Sequence, residues 1–75
     1  MTIVQTYKEG VITQSCAITV SHKLFSFIKV KPDGGGAEVR FMDDDDKRYE
    51  SYPVGSRIKY VLINGNATKA EGFNY

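Results

Sequence analysis

The stretch His22-Lys23-Leu24-Phe25-Ser26-Phe27-Ile28-Lys29-Val30-Lys31 constrains this chain most, because its alternation suits a β-strand with two chemically different faces. Leu24, Ser26, Ile28 and Val30 fall on one face, apolar apart from a small serine and suited to burial. Lys23, Phe25, Phe27, Lys29 and Lys31 fall on the other. Two readings are open. The strand is buried on both faces with its rings in the core, or the rings face outward as a platform. Doubly buried strands read as continuous apolar runs without lysines beside the aromatics, which favours the platform. Exposed aromatics are spent on binding. Rings between ammonium groups suit single-stranded RNA or DNA, since bases stack on the rings while the cations sit against phosphates.

Seventy-five residues make one domain, 1–75, with a thin core, for a chain this short hides only about 60% of the surface it exposes when unfolded. A hydrophobic fraction of 41% and a charged fraction of 25% predict a folded chain rather than a disordered one. With one cysteine there is no internal disulfide and no cysteine-rich zinc site. No secretory leader or membrane-length apolar run is visible, so a reducing cytoplasm is the expected compartment, with no membrane contact. Net charge is +1, but four acids are gathered in Asp43-Asp44-Asp45-Asp46, leaving ten bases against five acids elsewhere. A basic surface beside an acidic loop is implied.

In chain order, residues 1–8 read as a peripheral arm or short strand. Glu9 to Val20 reads as a long strand with Gly10, Ile12, Gln14, Cys16, Ile18 and Val20 on one largely apolar face, which makes Cys16 core filler. Ser21-His22-Lys23 is a hairpin turn with a solvated histidine. Pro32-Asp33-Gly34-Gly35-Gly36 ends the organising strand in a flexible loop, and Ala37–Met42 is a third strand. The four aspartates cannot be buried together and belong in a solvated loop, without the glycine and distal glutamate of a helix–loop–helix calcium site. Tyr49–Val54 is a loop or single helical turn. Arg57–Ile63 and Ala67–Phe73 are strands joined by the turn Asn64-Gly65-Asn66. Five strands without helical periodicity predict a small all-β barrel with Ile12, Ile18, Ile28, Val30, Val39, Ile58 and Leu62 inside.

Several motifs resemble those of the cold-shock domain, a five-stranded oligonucleotide-binding (OB) barrel. Lys23-Leu24-Phe25-Ser26-Phe27-Ile28 is similar to that family's Lys-Gly-Phe-Gly-Phe-Ile, and Ala37-Glu38-Val39-Arg40-Phe41 to its Val-Phe-Val-His-Phe. Glu9-Gly10 with Ile12 is similar to Glu-Gly-x-Val. Gly55, Ile58, Tyr60 and Leu62 resemble Gly-x-x-Val-x-Phe-x-Ile, and Lys69-Ala70-Glu71-Gly72-Phe73 resembles Gln-Ala-Ala-Asn-Val. The chain departs from the pattern on the binding face, where Gln14 and Ser15 replace a tryptophan and a phenylalanine. Glu38 replaces a stacking phenylalanine, and Arg40 a histidine. The resemblance implies a divergent member, as in a phage or mobile element, with weakened or altered binding. In general plan the chain is also similar to the initiation-factor type of this barrel.

The expected function is non-catalytic binding of single-stranded RNA or DNA through Lys23, Phe25, Phe27, Lys29, Lys31, Arg40 and Phe41. The alternative is a protein-interaction barrel that has lost most nucleic-acid binding and engages a protein through Asp43, Asp44, Asp45 and Asp46 or through its remaining aromatic face. An enzyme is the weakest reading, because one histidine, one cysteine and no acid pair on a shared face leave little from which to build a catalytic site. No cofactor and no metal are expected.

Overall fold

The computed structural model describes residues 3–73. Five strands, β1 (Gln5–Val20), β2 (Lys23–Pro32), β3 (Val39–Asp43), β4 (Arg57–Ile63) and β5 (Asn66–Ala70), pair antiparallel in the order β3-β2-β1-β4-β5. The edge strands β3 and β5 approach each other, and the sheet curls into a small, nearly closed all-β barrel. A short 3-10 turn, Arg48–Ser51, lies in the connection between β3 and β4. Among the described residues no helix is long and apolar enough to cross a membrane. Of the two readings of the leading residues, β1 takes the strand, pairing already from Gln5 with Ile63 of β4. Met1 and Thr2 lie outside the described residues.

β1 serves both halves of the barrel, pairing with β4 through Gln5–Val11 and with β2 through Gly10–Val20. Gly10 lies where the two pairings overlap. A Cβ there would stand 2.5 Å from the Lys31 carbonyl oxygen and 2.5 Å from Val30 Cγ1, so only glycine fits. Just beyond it the register shifts, with Ile12 opposite Val30 and Gln14 opposite Lys29. Thr13 is the extra residue of a β-bulge, which bends the strand and exchanges its two faces.

That exchange corrects two expectations. Beyond the bulge the residues sharing a face with Ile28 and Ser26 are Ser15 and Ala17, whereas Cys16 and Ile18 stand opposite Phe27 and Phe25 on the outer face. Ile18 therefore does not point inward and Cys16 is not core filler; both are half-buried. The core comprises Ile12, Ile28, Val30, Phe41, Ile58, Tyr60, Ala70 and Phe73, with Val39, Leu62 and Tyr52 packed against it. Phe73 enters because Gly72 takes a left-handed turn (φ 78°) that returns the chain to Ala70. Its ring meets Tyr52 edge-on at 5.1 Å. Leu24, on the face suited to burial, is 49% exposed, because the β1–β2 hairpin runs on past the end of β3. At its tip Ser21 (φ 51°) and His22 (φ 67°) are both left-handed, a turn that Asn64-Gly65 makes more cheaply at the β4–β5 hairpin.

The lone serine on the inner face of β2 anchors the β3–β4 connection. Buried Ser26 donates to the Asp45 carbonyl (2.5 Å) and accepts from the Tyr49 N–H (3.0 Å), while Ser15 donates to the Tyr49 carbonyl (3.0 Å). Asp43 is buried beside it as the last residue of β3, accepts from the Asp45 N–H (3.1 Å) and faces Arg48 at 3.6 Å. The acidic run is thus not one solvated loop. Its first member caps the chain reversal, Asp44 and Asp45 are exposed, and Asp46 is half-buried.

Both anchor points can be tested by substitution. Gly10→Ala must displace backbone or Val30, and overpacking of this kind costs about 1–3 kcal/mol, read as a lower urea midpoint with an unchanged slope. Ser26→Ala strips one partner each from the Tyr49 N–H and the Asp45 carbonyl, and equilibrium unfolding should register a loss of about 1–3 kcal/mol.

Candidate nucleic-acid interface

Directly opposed residues on neighbouring strands share a face, so the register of β1, β2 and β3 lays out the outer surface in rows. Ile18 stands beside Phe25; Cys16, Phe27 and Met42 form the next row, and Gln14, Lys29 and Arg40 the one after. Val11 stands opposite Lys31 at one end and Val20 opposite Lys23 at the other. The Gln14 amide contacts Cys16 Sγ at 3.6 Å, as two residues on one face should.

Six of the seven site residues expected from the sequence, Lys23, Phe25, Phe27, Lys29, Lys31 and Arg40, therefore share this face. Lys23 Nζ lies 5.3 Å from the centre of the Phe25 ring. Among the described residues none of these four cations forms an ion pair with a carboxylate. Their charge is open to solvent and to an anion. The seventh residue, Phe41, is a correction. It opposes Ile28 on the inner face, is 1% exposed and packs against Tyr60 at 5.6 Å, so it is core and presents no ring to a base.

The rings are half-buried rather than fully exposed, and Ile18 stands opposite Phe25 while Cys16 and Met42 flank Phe27. Sequence reasoning missed Cys16 and Ile18, for the bulge at Thr13 has no residue signature that marks it, whereas Met42 already alternated with Arg40 in the third strand. The missing piece was the position of one extra residue. With them the face has an apolar centre and cations at its ends.

Arginine 57 is the cation that this surface does not have free. Its guanidinium donates to Asp33 and to Glu9 (2.9 Å), which ties β4 to β1 and to the loop after β2. Those bonds, to Asp33 first and then Glu9, hold its pKa above the usual value. The face has its own acid, and it is not in the aspartate run. Glu38 precedes inward-pointing Val39, and its carboxylate reaches across β2 to accept a hydrogen bond from the Thr13 hydroxyl of the bulge. A negative charge is thereby fixed on the side of the sheet that carries Lys29, Lys31 and Arg40. Among the described residues no three histidine, cysteine, aspartate or glutamate side chains gather in a way that could hold a metal ion.

Compared with known protein families, with curated proteins and with solved structures, the chain matches none.

Neutralising the acid isolates its electrostatic contribution. Glu38→Gln should raise the affinity for polyphosphate, a ligand with no bases to stack, by roughly fivefold at low salt, from about 1 kcal/mol between charges near 4 Å in water. Competition titration at two ionic strengths checks this, and the gain should shrink as the Debye length shortens.

Proposed function

We propose that this protein binds single-stranded RNA or DNA without catalysis, and that the ligand lies along the outer face of β1, β2 and β3. One observation carries the reading. Phe25 and Phe27 stand in adjacent rows of one face, with Lys23 at one end and Lys29, Lys31 and Arg40 at the other, none of them ion-paired among the described residues. Bases stack on the rings, and phosphates on either side meet cations. The likeness of Lys23-Leu24-Phe25-Ser26-Phe27-Ile28 to the first cold-shock motif supports the same use of the same residues. An OB-like barrel of five antiparallel strands is a scaffold compatible with it.

The platform is smaller than in that family, since Gln14 and Glu38 supply no rings and Phe41 is core. Two stacked bases and up to four phosphate contacts imply modest affinity and a shallow salt dependence. At about −0.7 per neutralised phosphate on a single strand, the logarithmic slope should not exceed roughly −3.

A second reading is favoured by the apolar packing around the rings. Half-buried Cys16, Ile18 and Met42, with Val20 44% exposed, would also suit an apolar protein surface. Phe27→Ala separates the two. It should weaken binding of a short oligonucleotide by about 1–3 kcal/mol, with little change in melting temperature. Phe25→Ala should do the same. Retained affinity in both folded variants would sink the stacking platform and favour a protein partner.

A further inference from the structure

β1 is covered by β4 only as far as Val11, and beyond it the Ile12 N–H and C=O are taken by Ser56 (2.9 Å) and Gly55 (2.8 Å). From Gln14 to Val20 the strand pairs with β2 on one side alone. In an antiparallel ladder alternate residues turn their N–H and C=O to opposite sides. Val20 and Lys23 close the two-residue turn, so Val20, Ile18, Cys16 and Gln14 bond to β2. The N–H and C=O groups of Ser15, Ala17 and Thr19 consequently point away from it, and among the described residues nothing takes them.

An open edge of this kind is ordinarily protected by lysine, proline or a bulge. Here the bulge of β1 precedes it, and Gly10 to Ser21 contains no acidic or basic residue and no proline. The segment is rich in β-branched side chains, and Ala17 and Thr19 are exposed. We infer that this edge is a self-association site, on which β1 of a second copy of the chain pairs antiparallel about a two-fold axis through Ala17.

The occupant and register are set by the edge itself. A two-fold axis through Ala17 places Ala17 opposite its own copy and Ser15 opposite Thr19, so every outward group finds a partner. Any other two-fold register leaves some of them unpaired. With no charged side chain in the segment, two identical strands meet without like-charge repulsion across the pair, as a self-pairing edge requires. The open length is bounded at one end by Gly55-Ser56 and at the other by the Ser21-His22 turn. Gln14–Val20, centred on Ala17, fits between these stops.

Pairing in this register also joins the outer faces of the two copies. The row Phe27–Cys16 continues into Ile18–Phe25 of the second molecule, and the converse row runs alongside. A single apolar stripe with lysines at both ends results. The self-association does not depend on nucleic-acid binding, because it rests on the backbone edge.

Ala17 is exposed to solvent although it stands opposite buried Ser26, so charge introduced there reaches the edge, with folding of each variant checked separately. Sedimentation equilibrium of the full chain up to millimolar concentration should show the mass rising from 8.4 kDa towards twice that value. Ala17→Lys and Ala17→Glu each place like charges opposite one another at the axis and should remain monomeric at every concentration. An equimolar mixture of the two should recover the dimer. A wild-type protein that stays monomeric throughout overturns the inference, as does a single variant that associates as well as wild type or a mixture that fails to recover dimer. Folding of each variant is read independently from its far-ultraviolet spectrum.

Discussion

The extra residue in β1 governs the shape of the barrel and the make-up of its outer face. A strand that paired evenly from Gln5 to Val20 would keep one face inward throughout and hold the sheet nearly flat. The bulge at Thr13 bends it, so that its first part closes the barrel with β4 and its second part leaves with β2. Gly10 permits the close passage just before the bend, where even a methyl group would strike Lys31 and Val30. Two further consequences come from the same step. Ile18 and Cys16 are turned outward, and the edge beyond Ile12 loses its β4 neighbour.

The outer face is therefore a composite of three strands, not a property of β2 alone. Phe25 and Phe27 bring aromatic area, while β1 and β3 bring the aliphatic and sulfur side chains that keep those rings from standing free. Rings supported in this way are held in place and lose little freedom when a base or an apolar surface covers them. The support also explains how an outward-facing aromatic pair is tolerated, since each ring is already half removed from water.

Charge is arranged by backbone constraint more than by sequence proximity. The aspartate run looks like a single acidic feature, yet Asp43 is the end of β3 and is spent on the reversal that Ser26 also anchors. Arg57 is held by Asp33 and Glu9, far apart in the chain but adjacent across the barrel wall. Glu38 is the acid that reaches the cationic face, through a hydroxyl that the bulge presents. The field over this surface comes from Lys23, Lys29, Lys31, Arg40 and Glu38 together.

Much of this protein was legible in the sequence because strand periodicity is local. The alternation in β2 assigned Ile28 and Val30 to the core and Phe25, Phe27 and three lysines to the opposite side, and Asn64-Gly65 marked its turn. Five strands and a small all-β barrel come from that periodicity and from the absence of helical patterning. The remainder depends on pairing, which no single strand reveals. Alternation with inward Val39 already placed Phe41 on the inner face, so counting it with Arg40 misreads one strand, whereas only the packing of β3, β2 and β1 side by side brings Glu38 to Thr13. Ile18 read as inward because alternation was counted through Thr13, and one unpaired residue reverses every side chain after it. Sequence by itself determined which residues share a face within an unbroken strand. Tertiary structure decided which face was buried, because burial depends on where a strand bends and which neighbour covers it.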